Sequence, residues 1–130
     1  MITSATYQRL PLFHDWQTGR VLVKELRIAA ETDSVDSLAW VIMPDHFHWL
    51  FVLQETTLDE VMRKVKSRSA LAINFHLRRS GKVWQEGYHD HALRAEENIK
   101  EIARYIIANP LRAGMVKNAG DYLLWDAAWL

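Results

Sequence analysis

Residues 41–53 read VIMPDHFHWLFVL, and this stretch constrains the fold more than any other. Pro44-Asp45 is a turn signal, because proline presets φ and aspartate bonds its own backbone. The apolar runs on either side, 38–43 and 46–53, therefore predict a hairpin of two strands. Strand side chains alternate between faces. Phe47, Trp49, Phe51 and Leu53 point one way and make a complete apolar face. His46, His48, Leu50 and Val52 point the other way. The two imidazoles are thus neighbours on a face the core does not need, free to converge on one ion. Two hydrogen-bonded histidines at the margin of a packed sheet satisfy the same pattern. Spacing alone does not separate the two readings.

The flanking patterns supply partners for this hairpin. Residues 2–10 alternate roughly and predict a strand. From 16 to 30, Leu22, Leu26 and Ala29 share one helical face, with Val23 and Ala30 beside it. The stretch TDSVDS then breaks the pattern. Thr57 caps a second helix, with Glu60 as its capping-box partner. Leu58, Val61, Val65, Ala72 and Ile73 form the buried stripe of that helix, and Ser80-Gly81 ends it. Residues 83–93 have strand character, with a bulge at Gly87. Glu96-Glu97 open a third helix, well placed for its dipole. Ile99, Ile102, Ala103 and Ile106 are its apolar face, and Pro110 stops or kinks it. The tail, with Tyr122, Trp125 and Trp129, is expected to pack back as irregular structure or a short turn.

The element order is β-α-β-β-α-β-α. This is an α+β chain whose first six elements are a ferredoxin-like βαββαβ with an antiparallel sheet and helices on a face. The added C-terminal helix is the third one. The strand with the two histidines is central. At 130 residues the chain is expected to be one domain, 1–130. No apolar run reaches the roughly 18–20 residues of a membrane span. The N-terminus lacks the layout of a signal peptide, so the expectation is cytoplasmic, with no membrane partner. The absence of cysteine removes disulfides and thiolate metal sites.

Net charge is zero, which does not mark the whole chain as a polyanion binder. Its distribution is uneven. Residues 62–82 hold Arg63, Lys64, Lys66, Arg68, Arg78, Arg79 and Lys82 and no acidic residue, so the rest carries minus seven. Such a strip is either a phosphate-contacting surface or a solvated helix face. In the third helix Asn98, Glu101, Tyr105 and Asn109 recur at spacings of three and four, away from the isoleucines. Tyr105 and Asn109 project together, one turn apart. A phenol is a usable nucleophile, and an amide oxygen is a hard donor suited to Mg²⁺ or Mn²⁺. A half-buried packing tyrosine and a helix-ending asparagine fit the spacing too. A second H-x-H, His89 and His91, is read as polar surface or groove lining at the sheet edge.

VIMPDHFHWLF, KVWQEGYHDHAL and RYIIANPLRAG, spread over nearly the whole chain, resemble the single-tyrosine HUH transposases. Within them the resemblance is to the REP-associated tyrosine transposases. It implies a ferredoxin-like fold and a specific set of roles. His46 and His48 would be metal ligands, with Asn109 as the third. Tyr105 would be the nucleophile, and the metal Mg²⁺ or Mn²⁺. The substrate would be single-stranded DNA with a REP-like hairpin, nicked and rejoined through a 5′-phosphotyrosine. The basic strip 62–82 would follow the DNA backbone, and Arg112 would be a further phosphate contact. Trp84 and Tyr88 are candidates for stacking on bases, although core packing is the simpler role for Trp84. A monomer is expected.

Two departures stand out. Asp45 occupies a position where the family commonly has asparagine, which adds a negative charge near the metal. As the chain begins almost at its first strand, the expectation is that it lacks an N-terminal guide-recognising segment and that its first-strand DNA contacts differ from the family's. Two other readings stand beside the enzyme. One is a non-catalytic nucleic-acid-binding module that keeps the fold. The other is a structural sheet domain with incidental histidines.

Overall fold

The structure is a computed structural model and describes residues 1–32, 35–91, 99–117 and 122–127. Its strands are β1 (Ile2–Ala5), β2 (Val35–Met43), β3 (His46–Leu53), β4 (His89–Asp90) and β5 (Trp125–Ala127). Its helices are α1 (Trp16–Glu31), α2 (Leu58–Leu77), α3 (Ile99–Ile107) and α4 (Asn109–Arg112). The sheet runs β4-β1-β3-β2-β5, and every pairing is antiparallel. The first four strands in this order are the ferredoxin-like arrangement, with β3 at the centre as the element order predicts.

Alternation along β3 builds two cores. Phe47 and Trp49, both fully buried, pack with Trp40 and Ile42 against Leu22, Val23 and Leu26 of α1 and Val61, Met62, Val65 and Ile73 of α2. Leu50, on the histidine face, packs with Ala39, Val41 and Met43 against Ala103, Ile106 and Ile107 of α3. The sheet is therefore sandwiched, with α1 and α2 on one side and α3 on the other. A bulge between Ser37 and Ala39 shifts the register. It lets Val35 and Trp40, five residues apart, reach the same core.

Local chemistry explains the helix starts. The Asp15 side chain accepts from Gln17 N at 3.2 Å to cap α1, and Thr57 accepts from Glu60 N at 3.2 Å to cap α2. Gly19 lies inside α1 because a Cβ there would run into the buried Leu124 side chain of the tail.

Several expectations need correcting. The first strand stops at Ala5, and 3-10 turns at Tyr7–Arg9 and Leu12–His14 follow. The second strand starts at Val35, earlier than 38. Helix α2 ends at Leu77, capped by Arg78 in the left-handed region rather than by Gly81. The fourth strand shrinks to two residues plus a lone bridge between Thr6 and Trp84. The tail adds a strand, β5, beside β2, where irregular structure was expected. Its Tyr122 hydroxyl, pushed up to about 12 by burial, donates to Ile42 O at 2.5 Å. The start of the third helix at Glu96-Glu97, Asn98, Trp129 and the end of the 83–93 strand lie outside the described residues. Pro110 kinks rather than ends the helical path: α3 stops at Ile107 and the one-turn α4 resumes at Asn109. No helix among the described residues is long and apolar enough to cross a membrane.

Candidate metal and nucleophile site

The register of β3 decides what surrounds its histidines. His48 lies opposite Thr3 of β1 and Val41 of β2, and His46 lies opposite Ala5 and Met43. Opposed residues share a face. The two imidazoles meet edge to face, with ring centroids 5.0 Å apart. Each ring has its Nδ1 engaged. His46 Nδ1 is 2.7 Å from Asp45 Oδ1, and His48 Nδ1 is 2.8 Å from Thr3 Oγ1. Each Nε2 is left as the ring atom for a ligand. A partner on one ring nitrogen sets the tautomer and orients the other, as second partners of metal-binding histidines do.

Charge at the site follows from burial and neighbours. Burial, with the nearby His46 and Arg112 charges adding to it, holds the His48 imidazole down at about 4. His48 is therefore neutral at neutral pH, the form that binds metals. Burial pushes the Asp45 carboxyl up, but hydrogen bonds from His46 and Arg9 outweigh it and leave the group below its usual value. The sign for stability is definite. The unfolded chain takes up a proton at His48 near 6.5, whereas the folded chain does not until about 4. The unfolded state then binds more protons, so stability falls as pH drops through that window. Urea midpoints are expected to decline from pH 7 to pH 4, and less steeply in His48→Gln. Parallel declines in the two proteins would contradict this.

Helix α3 brings the tyrosine to the same side of the sheet. Its apolar face is spent on the β2–β3 surface, and Tyr105 stands 62% exposed on the other. The Arg112 guanidinium, delivered by α4, lies 3.6 Å over the Tyr105 ring. The same Arg112 charge acts on His48. Arg112 thus lies on the Tyr105 ring and within electrostatic reach of His48. Asn109 is the first residue of α4 and is half-buried. A cavity of about 360 Å³ beside Tyr105 is lined by Met1, His91, Glu101 and Ile102. His89 pairs with Thr3, and His91 exchanges backbone hydrogen bonds with Met1 at 2.8 and 2.9 Å. The second H-x-H therefore faces the same side as the first, with His91 lining the cavity.

The donor set can be tested against a divalent ion. Among the described residues no group of three or more His, Asp or Glu is placed to hold a metal. Two imidazoles are available, and a third protein donor would have to be of another type. The Asn109 amide oxygen is such a donor, hard enough for Mg²⁺ or Mn²⁺. Two imidazoles and one amide oxygen are donor types that suit such ions.

The basic strip lies elsewhere. Helix α2 packs on the side of the sheet away from the histidines. Three cations of the strip have partners within the chain. Lys66 Nζ bonds Gln85 O at 2.8 Å and Gly87 O at 2.6 Å, and burial lowers its pKa. Arg68 Nε pairs with Glu25 Oε2 at 2.9 Å. Arg79 bonds Asn74 Oδ1 at 2.6 Å and Lys82 O at 3.1 Å. Arg63, Lys64, Arg78, Lys82 and Arg112 are exposed. Lys82 Nζ sits 5.6 Å from the Tyr7 ring centre, near the His46 end of the sheet. Trp84 is a core residue whose Nε1 donates to Ser69 Oγ at 3.0 Å. The Tyr88 hydroxyl donates to Asp59, which raises its pKa to about 12 together with burial. Sequence reasoning did not find Thr3 or Arg9 at the site, because nothing local to either residue signals it.

The chain is similar to known proteins. A family model described as "Transposase IS200 like" matches residues 2–109. A REP-associated tyrosine transposase of Escherichia coli (strain K12) is 29% identical over 86 residues, 65% of this chain. The match covers 49% of that protein, so the chain spans about half the length of this relative. A solved REP-associated tyrosine transposase bound to a REP hairpin superposes with a TM-score of 0.72 at 23% identity, covering 95% of this chain and 73% of that one. A putative transposase from Deinococcus radiodurans superposes at 0.63 and 23% identity, covering 81% of this chain and 85% of the other. At these identities the superpositions speak for the fold.

Proposed function

The chain belongs to the IS200-like transposase family, and from that premise we propose that it is a metal-dependent single-stranded DNA endonuclease and strand transferase. Its proposed substrate is hairpin DNA of the REP type, the ligand named for the structural relative. The observation that carries the reading is the position of Arg112, stacked on Tyr105 and electrostatically felt by His48. It would bring the proposed nucleophile, a cation and the His48 imidazole to one side of the sheet.

The proposed roles follow from the chemistry of each group. His46 and His48 through Nε2, with Asn109 through its amide oxygen, would hold Mg²⁺ or Mn²⁺. When bound, the ion polarises the scissile phosphate and offsets charge developing on it, so a modest nucleophile suffices. The Tyr105 oxygen attacks phosphorus and loses its proton. An O–P bond forms to the tyrosine, the bond from phosphorus to the 3′ oxygen breaks, and that oxygen leaves as a 3′-hydroxyl with a proton. The resulting 5′-phosphotyrosine conserves the phosphodiester energy. Attack by another 3′-hydroxyl reverses the step and rejoins strands. Arg112, exposed and beside the phenol, would meet the phosphate.

The exposed cations of the 62–82 strip, Arg63 and Lys64 on α2 and Arg78 and Lys82 after it, are proposed to bind the DNA backbone. Removing one phosphate-binding cation should flatten the salt dependence of binding by about 1 in log–log slope. Arg63→Ala/Lys64→Ala is therefore expected to reduce the slope by about 2. A filter-binding series over salt concentration measures it, and an unchanged slope removes these two residues from the interface.

The deciding experiment is covalent trapping of a REP-like hairpin oligonucleotide in the presence of Mn²⁺. A denaturant-resistant adduct mapped to Tyr105 is expected. Hairpin binding unaffected by EDTA, with no adduct, would replace the enzyme with a binding module that retains the fold.

A further inference from the structure

Gln8 and Arg9 sit at φ 53° and 55°, two consecutive non-glycine residues in the left-handed region. Such a conformation is costly for L residues and persists only where its surroundings over-determine it. Here they do. Buried Thr6 donates from N to Asp45 O at 2.9 Å and from Oγ1 to Asp45 O at 3.1 Å and Leu10 O at 2.7 Å. Phe13 N donates to Pro44 O at 2.9 Å, and Tyr7 N to Val83 O at 2.8 Å. The 3-10 turn is thus fastened on both sides to the β2–β3 turn. One result is that Arg9 Nε lies 2.9 Å from Asp45 Oδ2 while Asp45 Oδ1 lies 2.7 Å from His46 Nδ1.

The ion pair does not explain the strain. The Arg9 side chain is 58% exposed, and surface ion pairs contribute little to stability. What the arrangement does is occupy both Asp45 oxygens in fixed directions, one on a cation and one on the histidine. We propose that Arg9 and Asp45 are positioning residues for the His46 ligand, with Asp45 Oδ1 accepting Nδ1–H so that Nε2 carries the lone pair. This rests on the metal reading above and deepens it. His48 Nδ1 has its own partner in Thr3, so Asp45 does not set the His48 tautomer.

Two measurements on the whole chain test the proposal separately. Long-range ¹⁵N NMR of histidine-labelled protein at pH 8, without metal, reads the tautomer of each ring. Mn²⁺ titration followed by EPR reads affinity. In the parent protein His46 is expected as the Nδ1–H form. Asp45→Ala should give a mixed tautomer at His46 only and weaken Mn²⁺ binding about 10- to 100-fold. Asp45→Asn keeps an acceptor oxygen, so it should retain the tautomer and lose less affinity. Arg9→Ala should broaden the His46 signals and weaken Mn²⁺ by a smaller factor than Asp45→Ala. An unchanged His48 signal serves as the folding control, because its Thr3 partner is untouched.

The proposal is overturned if the His46 tautomer is the same in Asp45→Ala, Asp45→Asn and the parent, whatever the Mn²⁺ result. If the parent binds no Mn²⁺ while Asp45→Ala still shifts the tautomer, the positioning role stands and the metal reading falls. If the parent binds Mn²⁺ and the tautomer never moves, the metal reading stands and the positioning role falls.

Discussion

Tyr105→Phe is expected to abolish the covalent DNA adduct, lowering single-turnover cleavage of a hairpin oligonucleotide by at least about 10³-fold. The substitution removes one oxygen. Tyr105 is 62% exposed, so the fold should hardly register its loss. The aromatic face that Arg112 covers is retained, because phenylalanine offers the same ring to the cation. Hairpin affinity should therefore stay within a few-fold of the parent. This separation is diagnostic: binding persists and chemistry stops. Denaturing gels with labelled oligonucleotide and Mn²⁺ read the adduct directly. An adduct that survives in Tyr105→Phe would assign the nucleophile to another residue and sink the single-tyrosine mechanism.

Neighbouring residues on β3 are expected to respond in opposite ways. Trp49 has no exposed surface, packs its ring 4.2 Å from that of Phe51 and donates Nε1 to Ser37 Oγ at 2.9 Å. Trp49→Ala should cost about 3–5 kcal/mol, from reduced burial and the cavity left behind. That is a large part of the roughly 5–15 kcal/mol that stabilises a domain of this kind. His48→Ala, one residue away on the other face, removes mainly the hydrogen bond to Thr3 and should cost about 1 kcal/mol. It should nonetheless remove Mn²⁺ binding and metal-dependent cleavage. Urea denaturation of both variants, beside Mn²⁺ titration of His48→Ala, checks the contrast. Equal stability losses would mean that His48 carries as much of the packing as Trp49.

Much of the fold was legible because its signals are local. The turn at Pro44-Asp45, the period-two pattern of β3 and the caps at Asp15 and Thr57 each act within a few residues. Element order then selected the ferredoxin-like sheet, since short connections leave few alternatives. The misread parts are those that local pattern does not control. β5 is three residues long and is held by Tyr122 and Leu124 packing on distant elements. The bulge that extends β2 back to Val35 hides the alternation of its first residues. The Tyr7–Arg9 turn adopts backbone angles that no glycine announces.

The candidate site divides in the same way. By itself the sequence determined that His46 and His48 share a face opposite Phe47 and Trp49, because alternation is a property of the extended backbone. Helical periodicity also predicted Tyr105 and Asn109 one turn apart on a single helix, whereas the structure puts them on α3 and α4, either side of a break at Ala108. Only the tertiary structure decided what these groups meet. Thr3 on His48, Arg9 on Asp45, Arg112 over Tyr105 and the α2 cations on the far side of the sheet all depend on strand register and helix docking. Those are set by interactions between residues tens of positions apart, which no local pattern carries.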